Sequence, residues 1–173
     1  MNNVEIIRLT QLDAEALQKI SKQTFMEAFA SGNTEENMNK YLEDAFSLNK
    51  LKDELINENS KFFFAIINNN TVGYIKLNTG TSQTEIQDHS SLEIERIYVL
   101  KEYYGKNIAQ VLYKKALAVA KETAARYIWL GVWEENQRAI NFYKKNGFVE
   151  FDKHIFKLGD DEQTDIMMKL SLQ

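Results

Sequence analysis

The chain has no cysteine and no proline, and only two histidines among its 173 residues. Without a thiol there is no disulfide framework, no thiolate nucleophile and no Cys-ligated zinc or iron–sulfur centre. His89 and His154 are too few for a three-histidine zinc centre, and any serine-hydrolase triad would have to be built on one of them. His89 stands beside Ser90 and Ser91, but no G-x-S-x-G elbow frames it. His154 is read as structural, and no metal site is expected. Long apolar runs are also missing. The most obvious is Phe62 to Ile67, far short of the roughly 18 residues a membrane-crossing helix needs, so no membrane association is expected. Met1 to Glu5 has neither the basic start nor the apolar stretch of a secretory signal, which with the absent cysteines makes a cytoplasmic address the expectation. Charge of one sign is scarce: 21 Lys and Arg stand against 25 Asp and Glu, a net charge of −4. Bulk neutralisation of phosphates, and with it a nucleic-acid partner, is disfavoured.

What is present suits one ordinary domain spanning residues 1–173, since 44% of the residues are hydrophobic and that is enough to build a core at this length. With no proline and no Gly/Ser linker, element boundaries are read from the hydrophobic period. Val4 to Arg8 reads as a strand. Leu12 to Phe29 and Thr34 to Phe46 carry apolar residues at helical spacing, and Leu48 to Asn57 reads as a weaker helix. Phe62 to Ile67 and Val72 to Leu77 form a hairpin around Asn68-Asn69-Asn70, and Thr79 to Ser91 is a polar loop. Then comes a strand at Leu92 to Leu100, a helix at Ile108 to Thr123 and a nearly continuous apolar strand at Tyr127 to Trp133. That order implies a parallel crossover. Asn136 caps a helix through Asn146, Gly147 stops it, and Phe148 to Phe156 and Thr164 to Leu170 close the chain as strands. The expected class is α/β with a mixed central sheet.

Three features carry chemistry. In the strand from Leu92, Leu92 and Ile94 share a face, whereas Ile97 and Val99 are out of phase with them by one residue. A β-bulge near Glu95 to Ile97 accounts for the slip and leaves backbone groups unpaired by the neighbouring strand; the competing reading is that Arg96 or Tyr98 simply faces solvent. The turn Lys101 to Ala109 leads into a helix start with outward N–H groups, a ready anion site. It matches neither G-x-G-x-x-G nor G-x-x-x-x-G-K-[ST], so neither a Rossmann nor a P-loop site is supported. The third feature is Asn136, Ala139, Phe142-Tyr143 and Gly147-Phe148.

That last spacing resembles the N-x-x-A-x-x-[FL]-Y-x-x-x-G-F signature of GCN5-related N-acetyltransferases (GNATs), and with the bulged strand and the turn upstream the match spans Leu92 to Phe148. The segments Asn37 to Glu43, Leu92 to Tyr98, Ile128 to Glu134 and Gly159 to Asp165 resemble PaiA-type spermidine/spermine N-acetyltransferases. The resemblance implies the GNAT fold, a sheet of about seven strands whose two middle parallel strands splay to admit acetyl-CoA. Ile97, Tyr98 and Val99 would pair with the pantetheine arm, and the Ile97 N–H could stabilise the thioester oxyanion. The pyrophosphate would rest on Tyr104, Gly105, Lys106, Asn107, Ile108 and Ala109, with Asn136 as a further contact and Lys106 or Lys145 holding CoA phosphates. The turn departs from the family's [QR]-x-x-G-x-[GA], because Tyr104 and Asn107 replace the Gln/Arg and the first Gly; weaker cofactor affinity is expected.

An amine with a pKa of about 10.4 must lose a proton before it can attack a thioester, and Glu95, or Glu93 through water, is the candidate base. Tyr143 occupies the family's general-acid position, although by helical spacing alone it would be a core aromatic. Glu35, Glu36, Glu43 and Asp44 are ordinary surface charges or an acidic cleft wall that would attract a polycation. With no cysteine to form an acyl-enzyme, direct transfer to a small-molecule amine, a polyamine in particular, is the expected activity. A peptide or protein amine is an alternative acceptor, and a CoA-binding regulator without turnover a third reading. Family resemblance also makes a homodimer a compatible assembly.

Overall fold

A computed structural model describes residues 3–173; Met1 and Asn2, at the head of the segment read above for a secretion signal, lie outside them. Strand β1 (Glu5–Arg8) leads to helices α1 (Ala14–Phe29), α2 (Glu35–Ala45) and α3 (Leu48–Ile56), then to β2 (Ser60–Ile67), β3 (Asn70–Asn78) and β4 (Ser91–Val99). Helix α4 (Ile108–Glu122), β5 (Tyr127–Trp133), α5 (Gln137–Lys145), β6 (Val149–Leu158) and β7 (Asp161–Ser171) complete the chain. Helix starts follow local chemistry: Thr34, Ser47 and Asn136 accept hydrogen bonds from the N–H groups of Asn37, Lys50 and Ala139 and so satisfy donors that the first turn leaves free. Helix α1 begins later than its apolar period suggests. Thr10 instead closes a reciprocal cap around a 3-10 turn at Gln11–Asp13, the Asp13 carboxylate accepting from the Thr10 N–H at 2.8 Å. The hairpin between β2 and β3 turns on Asn68 and Asn69, both with positive φ (49° and 64°), the backbone of a two-residue type I′ loop. Strands β2, β3, β6 and β7 run beyond their apolar segments because backbone pairing also recruits polar flanks such as Ser60 and Asn78.

The seven strands form one sheet in the order β1-β2-β3-β4-β5-β7-β6. All neighbours are antiparallel except β4 and β5. Helices cover both faces, which is why Phe62 to Ile67 reads as an unbroken apolar run. Phe63, Ala65 and Ile67 pack with Ile108, Leu112, Ala116 and Val119 of α4 and Ile140 of α5, whereas Phe62 and Phe64 pack with Leu17, Phe25, Met38 and Leu51 of α1 to α3. Among the described residues no helix is long and apolar enough to cross a membrane.

Candidate active site

The phase slip in β4 is a bulge. Opposite it on β3, Lys76 pairs with Arg96 and Leu77 with Ile94, so Glu95 is the extra residue. Leu92, Ile94, Ile97 and Val99 consequently all pack toward α4 and α5, while Tyr98 and Leu100 pack toward α1 to α3. The bend has a consequence for the partner strand. Parallel pairing with β5 covers only Ser91↔Tyr127, Leu92↔Ile128 and Glu93↔Trp129. Beyond Glu93, β4 follows β3 and β5 follows β7, and the two middle strands part. A cleft of about 940 Å³ fills the wedge, lined on one side by Ile94 to Val99 and on the other by Gly131, Val132 and Trp133. Among the described residues, the β4 backbone past Glu93 has no strand on its β5 side. An extended ligand carrying amide groups can take that place.

The turn that ends the wedge joins β4 to α4. Asn107 caps α4 in the left-handed region, φ 67° and ψ 13°, without a side-chain cap, so an Asn does here what glycine does without strain. Tyr104, Gly105, Asn107, Ile108 and Ala109 all line the cleft, and the free N–H groups of the first turn of α4 face that end. Lys106 is the exception. Its amide donates to the Tyr103 carbonyl at 3.2 Å and its ammonium lies 4.7 Å from the Tyr103 ring centroid, and it is not part of the lining. Lys145 does line the cleft, as does Asn136. The sequence reading missed Arg138, whose guanidinium stacks 3.6 Å from the Tyr104 ring centroid. It brings a planar cation to the turn where the resemblance leads one to expect a Gln or Arg at position 104.

Tyr143 projects from α5 into the cleft, held between Phe142 and Phe148 at ring-centroid distances of 5.4 and 5.6 Å. Burial raises its phenol pKa, with Arg138 pulling the other way. It is thus both the core aromatic that spacing suggests and a cleft residue.

Glu93 and Glu95 both line the cleft but sit in opposite environments. Burial raises the Glu93 carboxyl, against hydrogen bonds it accepts from Asn78 and from both the N–H and the hydroxyl of Thr84. Burial would raise Glu95 as well, but Arg96 and Lys76 outweigh it and hold that carboxyl below its usual range. Lys76 Nζ lies 2.8 Å from Glu95 and 3.4 Å from Glu54, and Arg96 lies 3.2 Å from each of the same two carboxylates. These two cations and two anions form a closed, largely buried network beneath the bulge. Asn78, buried on β3, donates to Glu93 and Glu95 at 2.9 and 3.4 Å and ties the two together.

Of the two readings open for the α2 carboxylates, the structure bears out that of surface charges. Glu35, Glu36, Glu43 and Asp44 lie exposed on α2 and do not line the cleft; they are solvated helix charges, because the face of α2 that packs inward carries Met38 and Leu42. His154, read as structural, lies at the cleft. From β6 it enters the cleft lining between Glu85, 2.9 Å from Nδ1, and Asp165 of β7, 3.8 Å from Nε2. The polar loop before β4 delivers Glu85. Gln83 anchors that loop by accepting from Trp129 Nε1 and Ser91 Oγ, each at 2.7 Å. Burial pushes Asp165 up to about 6, against the pull of His154. Gly131 lies against that carboxylate: a Cβ there would stand 3.5 Å from Asp165 Oδ2, an ordinary contact. Among the described residues no group of three or more His, Asp or Glu is arranged to hold a metal ion.

The acetyltransferase (GNAT) family model matches residues 16–148. An uncharacterized N-acetyltransferase from the pepI 3′ region of Lactobacillus delbrueckii subsp. lactis is 37% identical over 172 residues, covering 99% of both chains. A spermidine N(1)-acetyltransferase from Thermoplasma acidophilum is 25% identical over 171 residues, covering 96% of each. The crystal structure of PaiA N-acetyltransferase from the same organism, in complex with coenzyme A, aligns with a TM-score of 0.81 at 24% identity, covering 98% of this chain and 99% of that one. At that identity the structural likeness is one of fold.

Proposed function

The chain belongs to the GNAT family of acetyltransferases, and on that premise we propose that it transfers an acetyl group by direct attack to a primary amine, a polyamine such as spermidine or spermine. As an acetyl-CoA-dependent N-acetyltransferase it uses an activated thioester carbonyl supplied by the cosubstrate. The observation that carries the reading is the wedge: β4 and β5 part after Glu93↔Trp129 and open a passage between the face bearing Tyr143 and the face bearing Glu93. The backbone of Ile97, Tyr98 and Val99 holds the pantetheine arm as a substitute strand, and the Ile97 N–H is the donor for the carbonyl oxygen. The turn from Tyr104 to Ala109 takes the pyrophosphate, with Arg138, Asn136 and Lys145 beside it.

Glu93 removes the amine proton through water. Its raised pKa makes it a better-matched base than Glu95, whose proton affinity Arg96 and Lys76 depress. Tyr143 donates to the departing sulfur. The polyamine acceptor is supported by the carboxylates along the cleft, Glu85, Glu93 and Asp165 among them, and by likeness to a relative described as a spermidine acetyltransferase.

Thiol release from acetyl-CoA, measured with spermidine, spermine, a simple monoamine and short peptides bearing a free α-amine or a lysine, tests this reading. Release with the polyamines is expected. Release with peptides alone would replace the acceptor, and cofactor binding without release for any amine would leave a regulatory module. In Asn107→Gly, a relaxed left-handed cap and an uncrowded turn should tighten coenzyme A binding several-fold and add about 1 kcal/mol of stability. Calorimetric titration with coenzyme A and urea denaturation read the two effects; unchanged affinity would remove Asn107 as a constraint on the phosphate turn.

A further inference from the structure

Acetylation of an ammonium leaves a proton behind. The acceptor's R–NH3+ and the thioester become a neutral amide and a thiol: the N–C bond forms, the C–S bond breaks, the sulfur gains one proton, and one further proton goes to solvent in each turnover. Glu93, the proposed acceptor of that proton, is 2% exposed, and Asn78 and Thr84 already occupy its oxygens. A proton arriving there needs a path out.

The cleft offers a graded one. One pleat repeat along β5 from Trp129, the residue opposite Glu93, about 7 Å on, Gly131 lies against the Asp165 carboxylate. From Asp165 the titratable groups become steadily more exposed: its side chain is 19% accessible, that of His154 30% and that of Glu85 44%. His154 links the other two, with Glu85 at 2.9 Å on Nδ1 and Asp165 at 3.8 Å from Nε2, a gap that a small side-chain rotation or one water closes. Glu85 follows directly after Thr84, which binds Glu93, so the inner and outer ends of the path share one anchored loop. The charged groups beside the imidazole are Glu85 from that loop and Asp165 from β7. Among the described residues Asp165 has no cationic partner but His154, so these carboxylates stay outside the charge-balanced Lys76–Glu54–Arg96–Glu95 network.

We propose that Asp165, His154 and Glu85 form the proton exit of the cleft, with His154 as the relay that carries the amine's proton from Asp165 to Glu85 and solvent. The inference rests on the amine-transfer reading above. A neutral imidazole accepts at one ring nitrogen and donates from the other, so one proton crosses without a charged group having to leave its place. His154 acts through other groups and is a positioning residue here.

The test is His154→Ala, with His154→Gln beside it, in the full chain with acetyl-CoA and spermidine. In dilute buffer at neutral pH, kcat should fall about tenfold, with the KM for acetyl-CoA and the melting temperature unchanged, and added imidazole should restore it in the alanine variant. An unchanged kcat in dilute buffer, or a loss that imidazole does not relieve, overturns the relay while leaving acetyl transfer intact. A second readout does not depend on turnover. The ring nitrogen-15 signals of His154 should move in Glu85→Gln and in Asp165→Asn, with those of His89 as internal reference, because hydrogen bonds at Nδ1 and Nε2 fix which nitrogen carries the proton. Signals that stay put in both variants overturn the relay. Should the wild type release no thiol with any amine, the functional reading falls and the relay with it, whereas a wild type that turns over beside an unaffected His154→Ala overturns the relay alone.

Discussion

Replacing Tyr143 by Phe is expected to lower kcat for amine acetylation by about 10²- to 10³-fold, the range of a lost general acid, with little effect on folding. The ring is what packs: it meets Phe142 and Phe148 in the core beside α4 and is 6% exposed. Phenylalanine keeps those contacts. The side chain also lines the cleft, where the sulfur of a thioester lying along β4 would depart. A thiolate with a pKa of about 8.5 is a poor leaving group beside low-dielectric walls unless a donor meets it. Burial raises the phenol's pKa, so the hydroxyl holds its proton through neutral pH and beyond the ordinary phenol value of about 10. The alkaline limb of the wild-type rate should therefore not come from Tyr143. Steady-state thiol release for the two proteins, with KM for acetyl-CoA and melting temperature as controls, checks the assignment. Equal turnover would remove Tyr143 from the chemistry and return it to the core.

Glu95→Gln should act first on stability, with a loss of about 3 kcal/mol in urea denaturation, because removing one partner of a buried ion pair strands the others. Lys76, with 5% of its side chain exposed, would be left with Glu54 alone, and Glu54 would have to balance Arg96 as well. Adding Lys76→Met to Glu95→Gln leaves Arg96 paired with Glu54 and should recover part of the loss, a coupling that a double-mutant cycle measures. The pH dependence has a definite sign. The folded Glu95 carboxyl titrates below its usual value, since Arg96 and Lys76 overcome the effect of burial. Its stabilisation is therefore present above the ordinary glutamate range and lost as pH falls through the folded pKa. Glu95→Gln should flatten the acid side of the stability profile. Where the variant remains folded, its kcat should fall less than that of Glu93→Gln; the reverse order would make Glu95 the base and its cations a tuning device.

The site was legible where local pattern encodes it. The bulge could be read from apolar residues that change phase between Ile94 and Ile97, because a strand's period of two turns any inserted residue into a change of face. The same holds for Asn136, whose side chain caps α5. Seven strands, their order along the chain and the parallel step into β5 followed from hydrophobic runs and the turns between them. Position by position, Tyr143 looked like a core residue, and the structure has it as core and cleft at once.

Convergence left no such trace. Glu85, His154 and Asp165 come from a loop, β6 and β7, with 69 residues separating the first two. His154 and Asp165 meet only because β6 and β7 pair in that register. Lys76 and Glu54 read as ordinary charges until β3 and α3 bring them under the bulge, and Arg138 reads as a helix-surface residue until α5 sets it on Tyr104. The amino-acid order alone determines where this protein bends, caps and buries its elements, since those choices depend on neighbours a few residues apart. Which carboxylate keeps its charge, which one holds on to a proton and where a proton can leave were decided by the folded chain, because desolvation and Coulomb interactions depend on distances that only strand register and sheet order set.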